Sequence, residues 1–251
     1  MMECKSALDE ADGDFERAKE ILREKGKAAA GKKAGRATSA GVVAFSATAD
    51  NKTVGAVLVE TETDFVSKNP EFVSMAQEIA DYVRDNGADD TAKLKEYSDG
   101  IIAKFRENAQ VAKAVRLTSD SPIATYVHFD KTKGSAMVST GDNAGNEAVR
   151  KVAVHAVAFP PEVVSKDQLS QEKLDSEIEI ETQRAINEGK PENIAKNIAQ
   201  GRVNKEYVKS VVLLEQPFYA DPSKTVAAYL AEEAKGTKVT DFLYLAVGQG
   251  S

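Results

Sequence analysis

Apolar positions recur along this chain with two different periods, and the periods sort it into strands and helices. Alternating or continuous apolar runs at 42–48, 53–60, 111–118, 122–129, 135–140 and 239–247 predict strands. Ala49-Asp50-Asn51-Lys52 reads as a hairpin turn between the first two, and Lys131-Thr132-Lys133-Gly134 as the turn before the fifth. Three- and four-residue spacing predicts helices instead. Phe15, Ala18, Ile21 and Leu22 follow the turn and cap Asp12-Gly13-Asp14, while Phe72, Ala76, Ile79 and Val83 follow Asn69 as cap and Pro70 as first helical residue, up to a stop at Asn86-Gly87. Further helices are expected around Ile101, Ile102 and Phe105 and at 147–158, where Val149, Val152, Ala153 and Ala156 share a face.

After Pro160-Pro161 the pattern changes to two long amphipathic helices, with Leu174, Ile178 and Ala185 on one and Ile194, Ile198 and Val208 on the other. Gly189-Lys190-Pro191 between them suits a C-cap followed by a helix start, so an antiparallel helical hairpin is expected at about 168–209. The run 211–218, a helix begun by Asp221-Pro222 and the strand at 239–247 complete the chain. Helix and strand signals segregate rather than alternate, which predicts an α+β fold with antiparallel sheets.

Between the first helix and the first strand, 25–41 is rich in Gly, Ala and Lys and reads as a linker that tethers rather than packs. The expected organisation is therefore a partial N-terminal helical module at 1–24, this linker, a first core half at 42–141 and a second at 142–251 that carries the hairpin. The linker holds a decoy: Gly26-Lys27-Ala28-Ala29-Ala30-Gly31-Lys32-Lys33 nearly spells a phosphate-binding loop. Lys33 stands where a magnesium-ligating Ser or Thr belongs and no strand precedes Gly26, so nucleotide binding is rejected.

Composition narrows the function. A formal charge of −7 argues against a general nucleic-acid binder, and no apolar run approaches the length of a membrane span. Cys4 is the only cysteine and cannot form an internal disulfide, which fits a reducing cytoplasm and equally an organelle matrix. The two histidines, His128 and His155, lie far apart, so no metal site is expected. No nucleophile with a base and no convergent acid pair has a diagnostic spacing, so an enzyme is not expected. Glu177, Glu179 and Glu181 read as a solvated helix face and Asp89-Asp90 as a helix start.

One stretch stands apart. In Glu62-Thr63-Asp64-Phe65-Val66-Ser67-Lys68-Asn69 an acid and a large aromatic ring sit together where the chain leaves a strand. A single Phe in a loop ordinarily tucks under its own domain and an Asp beside it caps a turn. The surroundings favour another reading: Met1-Met2-Glu3-Cys4-Lys5, Gly41-Val42-Val43, the Thr63-Asp64-Phe65-Val66 block, Gln216-Pro217-Phe218 and Asp221-Pro222-Ser223-Lys224-Thr225-Val226 occur in one order. That set resembles the translation elongation factor Ts family over essentially the whole chain, with Thr-Asp-Phe-Val its most specific motif.

The resemblance implies a guanine-nucleotide exchange factor for elongation factor Tu, without a catalytic site, metal or cofactor of its own, acting in the cytoplasm. It implies two α+β core halves with an inserted helical projection, and a further helix ahead of the Met1-Met2 block, so that the first 24 residues are expected to be mobile and Leu8 and Ile21 partly unpacked. In the family the Asp-Phe pair enters the partner's G domain near its magnesium and phosphate-binding loop. Asp64 and Phe65, flanked by Thr63 and Val66, occupy those positions. Lys5 matches a lysine that meets the G domain, Gly134 a turn glycine at the interface, His155 an interface histidine, and Tyr219 and Ala220 the contact positions after Gln-Pro-Phe. From the residues alone, His155 reads equally as a buried histidine or a contact. Glu60-Thr61 departs from the family's usual Asn-Cys, leaving Asp64-Phe65 intact. A homodimer through the hairpin stays open. The competing reading is an RNA-associated or scaffold protein acting through the basic linker, since residues 16–36 carry eight basic against three acidic side chains.

Overall fold

The computed structural model describes residues 2–33 and 35–248. Met1 of the opening block, Ala34 of the expected linker and the last three residues of the expected second half lie outside them. The chain begins with a helical hairpin, α1 (Met2–Glu10) and α2 (Phe15–Lys33). Asp14 caps α2 by accepting the backbone N–H of Glu16 at 2.9 Å and of Arg17 at 3.0 Å. Ala7, Ala11 and Ala18 are buried between the two helices, and Leu8, Ile21 and Leu22 pack around them, each only partly buried. Phe15, expected on that face, is exposed, with the Lys19 ammonium 4.8 Å from its ring centre.

The expected linker is largely helical: α2 continues to Lys33 and packs against a core helix, Thr91–Phe105. Ala, Lys, Glu and Arg are strong helix formers, and a glycine inside a helix costs only about 1 kcal/mol relative to Ala. Gly26 and Gly31 weaken the helix without ending it. The free basic tether that an RNA-binding reading requires is thus a docked helix up to Lys33. Beyond it Arg36 is tied to the core, since the Asn108 side chain donates to its carbonyl at 2.7 Å.

Strands β1 (Ala40–Ala47) and β2 (Thr53–Thr61) form the expected hairpin. The one-turn helix α3 (Asp64–Ser67) follows directly, then α4 (Pro70–Asn86), α5 (Thr91–Phe105) and β3 (Ala109–Thr118), which pairs with β2. Asn69 caps α4 by accepting from Glu71 N at 2.9 Å, and Phe72, Ala76, Ile79 and Val83 are buried as their spacing predicts. Gly55 lets α4 lie close on the sheet, because a Cβ there would collide with the Ala80 carbonyl and the Arg84 backbone.

The second sheet is β4 (Ala124–Val127), β5 (Lys133–Thr140) and a C-terminal strand at Lys238–Ala246, all antiparallel. Since β4 pairs with β5 and β5 with that last strand, and neither with the first sheet, the two sheets divide between Thr118 and Ala124 rather than at 141. Helix α6 (Glu147–Ala158) covers the second sheet. The hairpin is α7 (Gln171–Asn187) and α8 (Glu192–Arg202), continued by a π-helical turn into α9 (Val208–Val211). Its packing face uses Ala185, Ala195 and Ala199, whereas Ile194 is exposed.

The short pair β6 (Pro217–Phe218) and β7 (Asp221–Thr225) precedes α10 (Val226–Glu233) and β8, the Lys238–Ala246 strand. Asp221-Pro222 thus opens a strand. Thr225 is the cap that starts the helix, accepting from Ala228 N at 3.1 Å.

The two sheets stack face to face. Along β2, Val57 and Val59 point to α4 and α5, while Val54, Ala56 and Leu58 meet Ala136, Leu243 and Leu245 of the second sheet. Period-2 alternation therefore buries both faces of one strand. The order helix, sheet, sheet, helix closes with α6 and α10 over the far face. No helix among the described residues is long and apolar enough to cross a membrane.

Candidate functional site

The chain leaving β2 at Thr61 has no further ladder to follow, and it turns at once into α3. Thr63 precedes that turn with an extended backbone but does not cap it with its side chain. A single turn closes on itself through Ser67 N to Thr63 O at 3.2 Å, Lys68 N to Asp64 O at 3.0 Å and Asn69 N to Val66 O at 2.9 Å. Of its side chains, Val66 is half-buried against the α4 and α5 core and Ser67 is buried. Phe65 is 86 % exposed. Helical spacing explains the split: a turn that points Val66 and Ser67 inward must point Asp64 and Phe65 out.

Asp64 is exposed too, and the Lys68 ammonium lies 2.6 Å from its carboxylate. That hydrogen bond, with the charge behind it, holds the Asp64 carboxyl below the ordinary range, so it is an anion at neutral pH. The expected loop is thus a short ordered helix that offers an anion and an aromatic ring side by side.

Beside it runs a shallow groove of about 540 Å³ lined by Gly41, Asp64, Lys68, Phe129, Lys131 and Val247, among others. Its far wall is the β4–β5 turn, held against β1 by Val43 N donating to the Lys131 carbonyl at 2.7 Å. Phe129 in this turn is 86 % exposed, with His128 at 4.6 Å between ring centres. Sequence reasoning passed over Phe129. A large apolar residue inside the turn His128-Phe129-Asp130-Lys131 was the available signal, because nothing in a turn needs such a side chain.

The other expected contact residues are scattered. Lys5 is exposed on α1, and Tyr219 and Ala220 are exposed at the reversal between β6 and β7, Tyr219 at 38 %. None of them lines the groove beside Asp64. Two expected contacts are interior. Gly134 is buried in β5, where a Cβ would lie 2.7 Å from the Phe45 ring and 3.1 Å from the Tyr126 carbonyl, so it serves the close approach of the two sheets rather than a surface turn.

His155 has no exposed surface and sits beneath the Tyr219 turn. Its Nδ1 accepts the Tyr219 backbone N–H at 3.2 Å, so its Nε2 carries the proton and donates to Gln216 Oε1 at 2.8 Å. Burial depresses its pKa and keeps the ring neutral, and the Gln216 bond opposes this only in part. Of the two readings that the sequence left open, the structure shows His155 buried, and its hydrogen bonds hold the Tyr219 turn from below.

Among the described residues no group of three or more His, Cys, Asp or Glu side chains is arranged to hold a metal ion. What the site offers is a protruding ring, a negative charge and a shallow groove side by side. Known proteins bear on its use. The family described as Elongation factor TS matches residues 62–249, a span that opens at Glu62 beside the protruding turn. Curated relatives named Elongation factor Ts align over 100 % of this chain: one from Alcanivorax borkumensis at 40 % identity, covering 90 % of that protein, one from Hydrogenovibrio crunogenus at 37 % and 87 %, and one from Clostridium botulinum at 36 % and 88 %. With a family match over most of its length and relatives at this identity from end to end, the chain belongs to the elongation factor Ts family.

Proposed function

We propose that this chain releases GDP from elongation factor Tu by inserting the Phe65 ring and the Asp64 carboxylate beside the partner's magnesium and phosphate-binding loop. Family membership makes it a guanine-nucleotide exchange factor of protein synthesis. The observation that carries the insertion reading is the 86 % exposure of Phe65 on an ordered turn whose neighbours Val66 and Ser67 are anchored inward. A ring that stabilises nothing in its own fold is free to be desolvated in another.

Inserted next to a bound magnesium, the Asp64 anion competes for the metal's surroundings while Phe65 wedges the elements that hold it. The thermodynamics are those of linkage. A factor that binds best to the nucleotide-free partner lowers nucleotide affinity, and nucleotide lowers the factor's affinity by the same ratio. Lys5 on α1 and the Tyr219-Ala220 turn supply further contact at a distance from the chemistry, and buried His155 and Gly134 hold the surfaces that make contact.

Release of fluorescently labelled GDP from elongation factor Tu, followed with and without this chain, tests the reading. Acceleration by wild type that is lost in Phe65→Ala and Asp64→Ala variants of unchanged thermal midpoint is the expected result. Full acceleration by both folded variants would overturn it.

A further inference from the structure

A helix of one turn cannot hold its own direction, because a single hydrogen-bonded turn is unstable in isolation. The direction of α3 must come from its flanks, and downstream it is tied by the Asn69 cap of α4. Upstream the tie is Glu107, a residue to which the function so far assigns nothing. Its Oε1 accepts the Thr63 hydroxyl at 2.7 Å, and its Oε2 accepts the Thr63 backbone N–H at 3.0 Å and the Thr61 hydroxyl at 3.1 Å. All three donors belong to the residues that lead into Asp64. The Thr63 hydroxyl, which would ordinarily cap the following helix, is committed to this carboxylate.

The placement of Glu107 follows from the sheet register. Thr61 pairs with Ala109, so residues 63 and 107 face one another just beyond the last rung. Arg106 ends α5 in the left-handed conformation, φ 63°, and so turns the chain back toward β2. The exchange is reciprocal, since the Glu62 carboxylate accepts the Asn108 backbone N–H at 2.6 Å. Two carboxylates thus replace the missing ladder bonds where the strands end.

We propose that Glu107 is the positioning residue of this exchange factor, fixing the direction in which Asp64 and Phe65 leave the fold. The proposal rests on the insertion reading. Glu107 touches no partner; it acts through Thr63, and its loss leaves the Phe65 ring exposed but unaimed.

The test uses the full chain with Glu107→Ala and Glu107→Gln, alone and combined with Phe65→Ala. Gln keeps a carbonyl oxygen for Thr61 and Thr63 N and offers an amide to the Thr63 hydroxyl, so it preserves the geometry without the charge. Glu107→Ala is expected to lower the maximal rate of stimulated GDP release roughly tenfold, the scale of one lost charge-assisted hydrogen bond, with little change in the concentration for half-maximal effect. Glu107→Gln should stay close to wild type. In the Phe65→Ala background, Glu107→Ala should add nothing, because there is no ring left to aim.

Amide exchange at Lys68 and Asn69, whose N–H groups close the turn, should quicken in Glu107→Ala and not in Glu107→Gln. Multiplicative effects of the two alanine variants, equal loss in Gln and Ala, or unchanged amide exchange in Glu107→Ala would each overturn the clamp. A Phe65→Ala variant with wild-type release would instead overturn the insertion reading, while amide exchange still judges the clamp.

Discussion

Phe65 after β2 and Tyr219 after β6 are both exposed rings at chain reversals, and the molecule supports them by different means. Phe65 stands on polar bonds made by its neighbours, with the ring itself in solvent. Tyr219 lies against other rings, 4.8 Å from Phe218 and 6.3 Å from His155 between centres, over a buried hydrogen-bonded network. In the first region presentation is separated from stability, because removing the ring removes nothing from the core. In the second the ring and the core are one cluster. A change beneath Tyr219 therefore reaches folding before it reaches any partner.

The comparison is sharpened most by Phe218→Ala. Phe218 is 2 % exposed and stacked on Tyr229 at 3.9 Å, so its truncation is expected to cost about 3–5 kcal/mol of stability, read as the urea unfolding midpoint. A loss below about 1 kcal/mol would show the second region to be as separable as the first.

Phe65→Ala should do the reverse. Its thermal midpoint is expected to match wild type while association with elongation factor Tu or stimulated release falls roughly 30-fold, the effect of about 2 kcal/mol at an aromatic anchor. Destabilisation by several kcal/mol would place the ring in the chain's own core and erase the contrast.

Acid divides the regions again. Because burial holds the His155 pKa below its unfolded value, the unfolded chain takes up the proton first. Its contribution to stability is therefore complete above the ordinary histidine value of about 6.5 and is lost as pH falls through the depressed folded value. Protonation puts an N–H on Nδ1 against the Tyr219 N–H, at a cost on the order of 1 kcal/mol for the lost hydrogen bond. Urea midpoints at neutral and mildly acid pH should show this extra decline in wild type and not in His155→Asn. An equal decline in both would remove the assignment.

The smallest effect is expected at Lys68. Its ion pair with Asp64 is exposed on both sides, where solvent screens the attraction and little net stability results. Lys68→Ala should leave stability almost unchanged and shift release only slightly, mostly at low salt. A large loss of release at constant stability would make Lys68 a contact in its own right.

Much of this was legible from residues alone. The strand periods, the Asn69-Pro70 start of α4, the buried stripe of Phe72, Ala76, Ile79 and Val83, and the span of α6 follow from spacing and capping, which are local properties. The motif Thr63-Asp64-Phe65-Val66 was likewise readable, since an acid beside a ring at a strand exit is a local oddity. Residues 25–33, the first part of the expected linker 25–41, are helical because the helix formers around Gly26 and Gly31 outweigh them and α5 supplies a surface to pack on, which no short stretch shows. The grouping of β5 with the C-terminal strand was not legible, because nothing in β5 says that its partner is a strand about a hundred residues later.

By itself, then, the sequence determined most of the elements, the α+β class and the oddity of the Asp64-Phe65 pair, because propensity, capping and alternation act over a few residues. Only the tertiary structure decided what those residues stand on. It buried His155 beneath the Tyr219 turn, set Gly134 between the sheets, brought Phe129 to the groove beside Asp64 and laid Glu107 across from Thr63. Each of these depends on strand register and sheet stacking, which join residues far apart in the chain, and the free energy of such contacts is written in no short stretch of it.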